Sequence, residues 1–552
     1  MMHIRMSPYN EQPGCKLAHV PQEILDRMTE DLPTPSLGNL RRSCKLIEGR
    51  LFPGFAKEFF GKKQFMLTYF SLQTLIDISR HKDISPYVTE IQIGLDRYPP
   101  TPALPNLGGG VGDGGGTDGQ GNFDDNLKAH MAWQKGQESQ ASLIVYGFDR
   151  EMLAEAFSNL PNLTKIVIRD NNSRARHRDH ISCDDNGNPM PFRDNLTGQW
   201  RSYGASTVDK PVRMDPIYHS RIGPETIYFN LPQFVTRAWI LVFSAMASSS
   251  SLARPRHVEL LLRQHFGHIA DDQMNIPDFL VPKVRPVLEN LEVLHLRVRY
   301  PAFGPQDHLG LQRFLTMTPN LKHLRINLSR CQSSDEQGTR NLIRWLAHEP
   351  LDGLSIPLPD GVPAHMDFPH LSQLDLGDFS HIHKNDLVKL IARLSTTLVN
   401  LSLHRISLLS PAMDKESHWP SVLRAIGKME KLHVLSTSGI GQHDMSRRQT
   451  YPVHLNPDRL PLGSTVTNNG YKFHYSGNWI GEFAEKAAQE FTVKYPPKPM
   501  HFDEDGEEEE DDDAEDSEAA SESGDGDGDG DGDDAMADAS PAPAAGGPAL
   551  PS

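Results

Sequence analysis

The chain is short of the features that announce several common protein classes. Only four cysteines occur in 552 residues, Cys15, Cys44, Cys183 and Cys331, and none shares a paired spacing with another. That excludes a familiar zinc cluster, gives no sign of a disulfide framework, and points to reduced thiols of the cytosol or nucleus. Long apolar runs are missing too. The best of them, Ala238 to Ala247, is about half the ~20 residues that a membrane-crossing helix requires. Met1 to Asn10 lacks the apolar stretch of a secretory signal. The expectation is a cytoplasmic or nuclear protein, or both, with no membrane role. Asn162-Leu163-Thr164 and Asn400-Leu401-Ser402 match the glycosylation pattern, but without a secretory signal they are by-products of a recurring Asn-Leu pair.

Catalytic motifs are equally scarce. Gly108-Gly109-Gly110 and Gly114-Gly115-Gly116 lack the Gly-Lys-Ser/Thr ending of a phosphate loop and have no strand leading into them. His177/His180 and His265/His268 have three-residue steps but no acidic or cysteine partner at a recognisable spacing, and 25 histidines produce such pairs by chance. Asp525-Gly-Asp-Gly-Asp-Gly imitates the start of a calcium loop, yet its twelfth position is Met536 rather than Glu. No Ser or Cys sits in a nucleophile elbow. A non-catalytic protein with no cofactor and no metal site is therefore expected.

Charge is present but unevenly placed. The formal net charge is −17, and from Asp503 onward the chain carries 21 acidic residues and no Lys or Arg. Setting those aside leaves the body at about +4, too weak a field to steer it toward nucleic acid. Three segments carry little to bury. Residues 99–140 open on a glycine-rich run and read as a flexible insertion. The stretch 169–213, rich in Asn, Asp and Arg, reads as a long polar loop. The acidic tail, 503–552, cannot offset its ordering entropy and is expected to be disordered.

What the rest does have is a recurring phrase, with apolar residues at relative positions one, four and six. It appears as Asn162-Leu-Thr-Lys-Ile-Val-Ile168, Asn290-Leu-Glu-Val-Leu-His-Leu296, Asn320-Leu-Lys-His-Leu-Arg-Ile326 and His370-Leu-Ser-Gln-Leu-Asp-Leu376. Looser copies begin at Val88, Val258, Leu351, Leu398 and Leu432. Such a phrase is a bend followed by a short strand whose last two apolar side chains turn inward while the residues between face out. Amphipathic helices are predicted between copies, over Leu309–Thr316, Asn341–His348, Asn385–Leu394 and Pro420–Met429. Strand plus helix, repeated, describes a leucine-rich-repeat solenoid. From Leu291 to Leu432 the phrases lie roughly 20 to 34 residues apart, looser than regular arrays, so an ordinary α/β domain with leucine-bearing strands is the alternative.

The N-terminal part is different. Pro21 suits the start of a helix, and Ile24, Leu25, Met28 and Leu32 follow in one apolar stripe. Pro33 and Pro35 stop it, and Ser36 is placed to cap a second helix with Leu37, Leu40, Cys44 and Ile47 on its apolar face. So few large side chains, each worth roughly 1.5–3 kcal/mol when buried, need a partner or close packing on the rest of the chain.

Val20-Pro21-Gln22-Glu23-Ile24-Leu25, followed by Leu32, Leu37, Leu40-Arg41 and Cys44-Lys45, resembles an F-box. Phe65-Met66-Leu67, Ser71 to Ser79 and Pro86-Tyr87-Val88 extend the likeness to fungal F-box proteins over roughly the first hundred residues. The resemblance implies that Pro21, Ile24, Leu25, Leu32, Leu37 and Leu40 contact the Skp-type adaptor of a cullin ubiquitin ligase.

The expected α/β architecture is thus a small helical domain at 17–60, a linking segment with a first repeat-like unit at 61–98, the insertion at 99–140 and an irregular repeat array at 141–440. A C-terminal cap at 441–502 and the tail complete it. The expected function is substrate recognition for a Skp-cullin-F-box ligase, with partners in the adaptor, the cullin scaffold and a protein client. The outward residues His295, Arg325, Asp375 and Ser402 are the candidate client contacts. The alternative is a leucine-rich-repeat protein whose acidic tail binds basic nuclear proteins such as histones.

Overall fold

The computed structural model describes residues 16–96, 119–170, 231–250, 255–262, 272–299, 309–328, 336–349, 365–410, 417–445, 449–455, 464–467 and 472–493, and the pairs 182–183, 189–190 and 269–270. The acidic tail, the phrase at Leu351, the four histidines at 177, 180, 265 and 268, and most of 171–213 lie outside these.

Three helices open the chain: α1 (Gln22–Glu30), α2 (Thr34–Ser43) and α3 (Lys45–Phe60). The second starts earlier than Ser36, with Pro33 as its N-cap, because Pro35 fits a first turn that needs no N–H. Cys44 and Ile47 do not continue that helix. Cys44 is the N-cap of α3, accepting from the Ile47 N–H, so Ile47 projects from the third helix. The hook has its own core of Leu25, Leu37, Ile47 and Leu51, separate from the main one. Polar contacts hold what this small core cannot. Arg41 forks onto Glu48 at 3.0 and 2.6 Å and lies over the Phe55 ring, and Arg50 donates to Gln22 of α1 at 3.2 Å.

The chain then alternates strand and helix. It runs β1 (Lys62–Met66), α4 (Tyr69–Arg80), β2 (Glu90–Gly94), α5 (Gly119–Tyr146), α6 (Phe148–Ser158) and β3 (Lys165–Arg169). A two-residue pair, β4 (Ser182–Cys183) with β5 (Pro189–Met190), precedes α7 (Leu231–Ser248), β6 (His257–Leu261), β7 (Ile269–Ala270), α8 (Val281–Leu288) and β8 (Val293–Arg299). Then come α9 (Gly310–Thr316), β9 (His323–Leu328), α10 (Glu336–Leu346), β10 (Gln373–Gly377), α11 (Lys384–Arg393) and β11 (Asn400–His404). The remainder is β12 (Ser407–Ser410), α12 (Trp419–Ile426), β13 (Val434–Ser438), β14 (Gly441–Asp444), β15 (Gln449–Leu455), β16 (Ser464–Thr467), β17 (Lys472–Ser476), α13 (Ile480–Glu490) and β18 (Phe491–Val493).

Strands β1, β2, β3, β6, β8, β9, β10, β11 and β13 pair in chain order and in parallel within one 12-stranded sheet, which antiparallel β17 and β16 close at one edge. Except at Leu351, every phrase read in the sequence falls on one of these strands, and they share one register once Val258 is placed at the second apolar position of its copy instead of the first. Ile91, Ile166, Val258, Leu294, Leu324, Leu374, Leu401 and Leu435 stand side by side across eight strands. From β8 onward, buried leucines alternate with more open polar residues, so one face is apolar and the other polar, unlike a parallel sheet covered on both sides. The leucine rows and the apolar sides of the helices form one continuous core, in which Trp239, Phe243 and Phe314 pack with centroids 4.8–5.6 Å apart.

The segment 99–140 is corrected in part. Residues 119–140 belong to the 28-residue α5, and Gln140 is buried with its side-chain amide donating to the Leu67 carbonyl at 3.1 Å. Glycine at 119 and 121 hid a helix that tertiary contact stabilises. Within the span 441–502 expected as a cap, β14, β15 and β18 join β12 of the preceding segment in a second, four-stranded sheet, while β16 and β17 extend the main sheet and α13 packs against α12 and β17. No helix among the described residues is long and apolar enough to cross a membrane.

Candidate functional site

Two surfaces concentrate chemistry. On the hook, the six residues named for adaptor contact divide. Leu25 and Leu37 are 0% and 4% exposed and point into the hook's own core, so they shape the surface without forming it, a correction to their expected contact role. Leu32 and Leu40 are half-buried against the same core. Pro21 and Ile24 are exposed. The structure adds two further exposed apolar side chains, Met28, one turn on from Ile24 along α1, and Leu46 of α3. Among the described residues these apolar side chains face outward while Leu25, between them in sequence, is fully covered.

The second surface is the polar face of the sheet. The four candidate client residues fall in one row: His295 of β8 is in register with Arg325 of β9, which is in register with Asp375 of β10 and then Ser402 of β11. Strand geometry brings them together, since residues between two inward leucines face outward at the same height in every copy. Arg325 is exposed and the other three are half-buried.

His295 and Asp375 belong to a chain of polar contacts running across seven strands. Lys62 meets Glu90 at 3.3 Å, and Lys165 lies 3.7 Å from Glu90 and 2.8 Å from Glu259. Glu259 Oε1 also receives His257 Nε2 at 2.7 Å and His295 Nδ1 at 3.0 Å. His295 Nε2 reaches His323 Nδ1 at 3.2 Å, and His323 Nε2 reaches Asp375 Oδ2 at 2.9 Å. Burial alone would raise the Glu259 carboxyl, but contacts from His257, His295 and Lys165 and the Lys165 charge hold it far below the usual range. Asp375 is likewise depressed against its burial, by His323 and the Arg325 charge. His295 goes down because burial disfavours its cation, despite the hydrogen bond to Glu259.

The ligand atoms of His257, Glu259 and His295 all lie within 4.8 Å of one another. This group was not found in the sequence, although a signal exists. His257 and Glu259 are two residues apart on a strand and so share a face, and aligning the phrases places His295 beside Glu259. No model of a known protein family matches the chain, and no curated protein matches it either.

Proposed function

We propose that the chain is a substrate-recognition adaptor of a Skp-cullin-F-box ubiquitin ligase and acts through an F-box-like hook joined to an irregular leucine-rich-repeat solenoid. The observation that carries this reading is the exposed apolar face of the hook. Ile24 and Met28 of α1 and Leu46 of α3 are 47–54% exposed around a core of only four buried side chains. Each would contribute roughly 1.5–3 kcal/mol if a second protein covered it. The in-order parallel sheet supports the other half of the reading, because it offers a long polar face on which a protein client can lie. Adaptor and client surfaces on one chain raise the client's effective concentration at a ligase, so no catalytic residue is required of the chain itself.

The test is direct binding of the full chain to a purified Skp-type adaptor. Ile24→Asp with Met28→Asp is expected to weaken binding at least tenfold, while Arg325→Ala, on the other surface, leaves it unchanged. No binding by the natural sequence overturns the proposal. The acidic run from Asp503 supports a second reading, charge-driven binding of histones. Truncation after Pro499 is expected to abolish such binding, and binding that survives it refutes this second reading.

A further inference from the structure

We propose that His257, Glu259 and His295 form a binding site for one divalent transition-metal ion of the zinc class. The inference holds whether or not the chain serves a ligase.

The ligand set is the first argument. Two imidazoles and a carboxylate are donors that zinc takes, and three protein ligands leave a fourth position for water or a side chain of a bound protein. His257 Nε2 and His295 Nδ1 both converge on the Glu259 carboxylate, at 2.7 and 3.0 Å. Tetrahedral ligands at ~2.1 Å from zinc stand about 3.4 Å apart, so side-chain adjustments of less than about 1 Å would open the trio around an ion. Rigid parallel strands supply all three residues, with Glu259 and His295 in direct register. Glu259 is 6% exposed and its two imidazole partners more so, which leaves the trio approachable from the polar face.

Hydrogen counting is the second argument. Three contacts join Glu259 to His295, His295 to His323, and His323 to Asp375. Each needs one hydrogen, because every facing atom is a carboxylate oxygen or a ring nitrogen. Two imidazoles with one N–H each supply two hydrogens, which leaves the third contact one hydrogen short unless a further proton or a cation joins the chain. If His323 donates to Asp375 and His295 donates to His323, the deficit falls at His295 Nδ1 facing Glu259. A metal ion held between that nitrogen and the carboxylate removes it. The resulting order, metal, His295, His323, Asp375, matches the way ligating histidines are held by a partner on their other ring nitrogen, with one more imidazole before the carboxylate.

Lys165 argues in the other direction, since its ammonium already lies 2.8 Å from Glu259 Oε1. A carboxylate has two oxygens, so Lys165 can keep one while the ion takes the other.

The full-length chain, stripped with a chelator and dialysed, is titrated with zinc chloride against a chromogenic competitor, with bound metal counted by elemental analysis. One tightly held zinc per chain is expected. The double variant His257→Ala, His295→Ala should lose it, and Glu259→Gln should weaken it at least tenfold. Asp375→Asn, which touches none of the three ligands, should weaken it about tenfold through His323. His370→Ala, at an exposed histidine elsewhere, should leave it unchanged. Cobalt(II) in the natural sequence should give visible d–d absorption that zinc bleaches and Glu259→Gln shifts. Circular dichroism of the metal-free forms identifies any variant that unfolds. Should the double variant do so, the near-isosteric Glu259→Gln and the cobalt spectrum decide. Zinc bound equally by the natural sequence and Glu259→Gln, or no tightly held zinc at all, overturns the site.

Discussion

Asp378 and Arg405 occupy the same place in successive units, each with a left-handed backbone immediately after its parallel strand, at φ 58° and 50°, and their side chains meet at 3.7 Å. In the next unit the place is taken by Gly439, at φ 61°. After this residue the backbone turns into a second short ladder, in which Ile382 bridges Leu408 and β12 pairs with β14 in parallel. The left-handed residue is therefore the corner that follows each of these three strands, and glycine alone occupies it without steric cost.

Gly439→Ala is expected to destabilise the chain by about 1–2 kcal/mol. A methyl group there pays the left-handed penalty and meets Arg405 Cγ at 3.3 Å. The shift of the urea midpoint at unchanged slope measures it. A variant as stable as the parent would mean that this corner is not fixed.

In the hook, neighbouring residues should behave oppositely. Leu25→Ala removes one of four buried side chains and is expected to cost about 2–5 kcal/mol, enough to loosen all three helices. Ile24→Asp, on the exposed face, should change stability by no more than about 0.5 kcal/mol. Gly38→Ala should raise it by about 0.5–1 kcal/mol, because Gly38 lies within α2 with open space around its α-carbon. Hydrogen exchange of the α1–α3 amides separates these outcomes. Equal effects at positions 24 and 25 would contradict the arrangement.

Much of this architecture was legible in the sequence because strand and helix periods differ and the leucines keep to them. The phrases at Asn290, Asn320 and His370 became β8, β9 and β10, and the stretches beginning at Asn341 and Asn385 became α10 and α11. The row from His295 to Ser402 followed from the same alternation. Where periodicity is silent, the reading failed. Helix α5 carries glycines that mimic a linker, and which side of α1 turns inward depended on Ile47 and Leu51 of a helix more than twenty residues away. The histidine–glutamate trio was missed for a related reason. Its members come from strands 36 residues apart, as the spacing of the His295–Glu259 pair shows, so no local motif records it.

Asp149 and Arg237 provide a third test. The Asp149 carboxylate is fully buried at the start of α6, and the Arg237 guanidinium of α7 lies on it while also donating to the Ile144 carbonyl at 3.0 Å. Removing the acid leaves a partly buried cation without its counter-charge, which is far costlier than losing a surface pair. Asp149→Ala should lower stability by about 3–5 kcal/mol, and the pair Asp149→Leu, Arg237→Met should recover part of the loss. A double variant no better than the single would show that packing, not charge, sets the cost.

Acid should destabilise the metal-free chain in two stages. His295, His348 and His381 all have folded values below the ordinary 6.5, each chiefly through burial. Between each folded value and 6.5 the unfolded chain binds more protons than the folded one, so stability falls as pH drops through that window. Above 6.5 these groups exert no such effect. Glu259 and Asp375 are depressed below their ordinary 4.5 and 3.8, so the stability they confer is present above those values and is lost only at lower pH. Denaturation midpoints taken with chelator present should therefore decline from about pH 6.5 downward and again below about pH 4.5. His381→Asn, which replaces a half-buried imidazole with a neutral amide, should shallow the first decline and leave the second in place. If midpoints instead rose as the pH was lowered from 7 to 5, the polar face would be stabilised by protonating its histidines, and the burial assigned to His295 and His381 would be wrong.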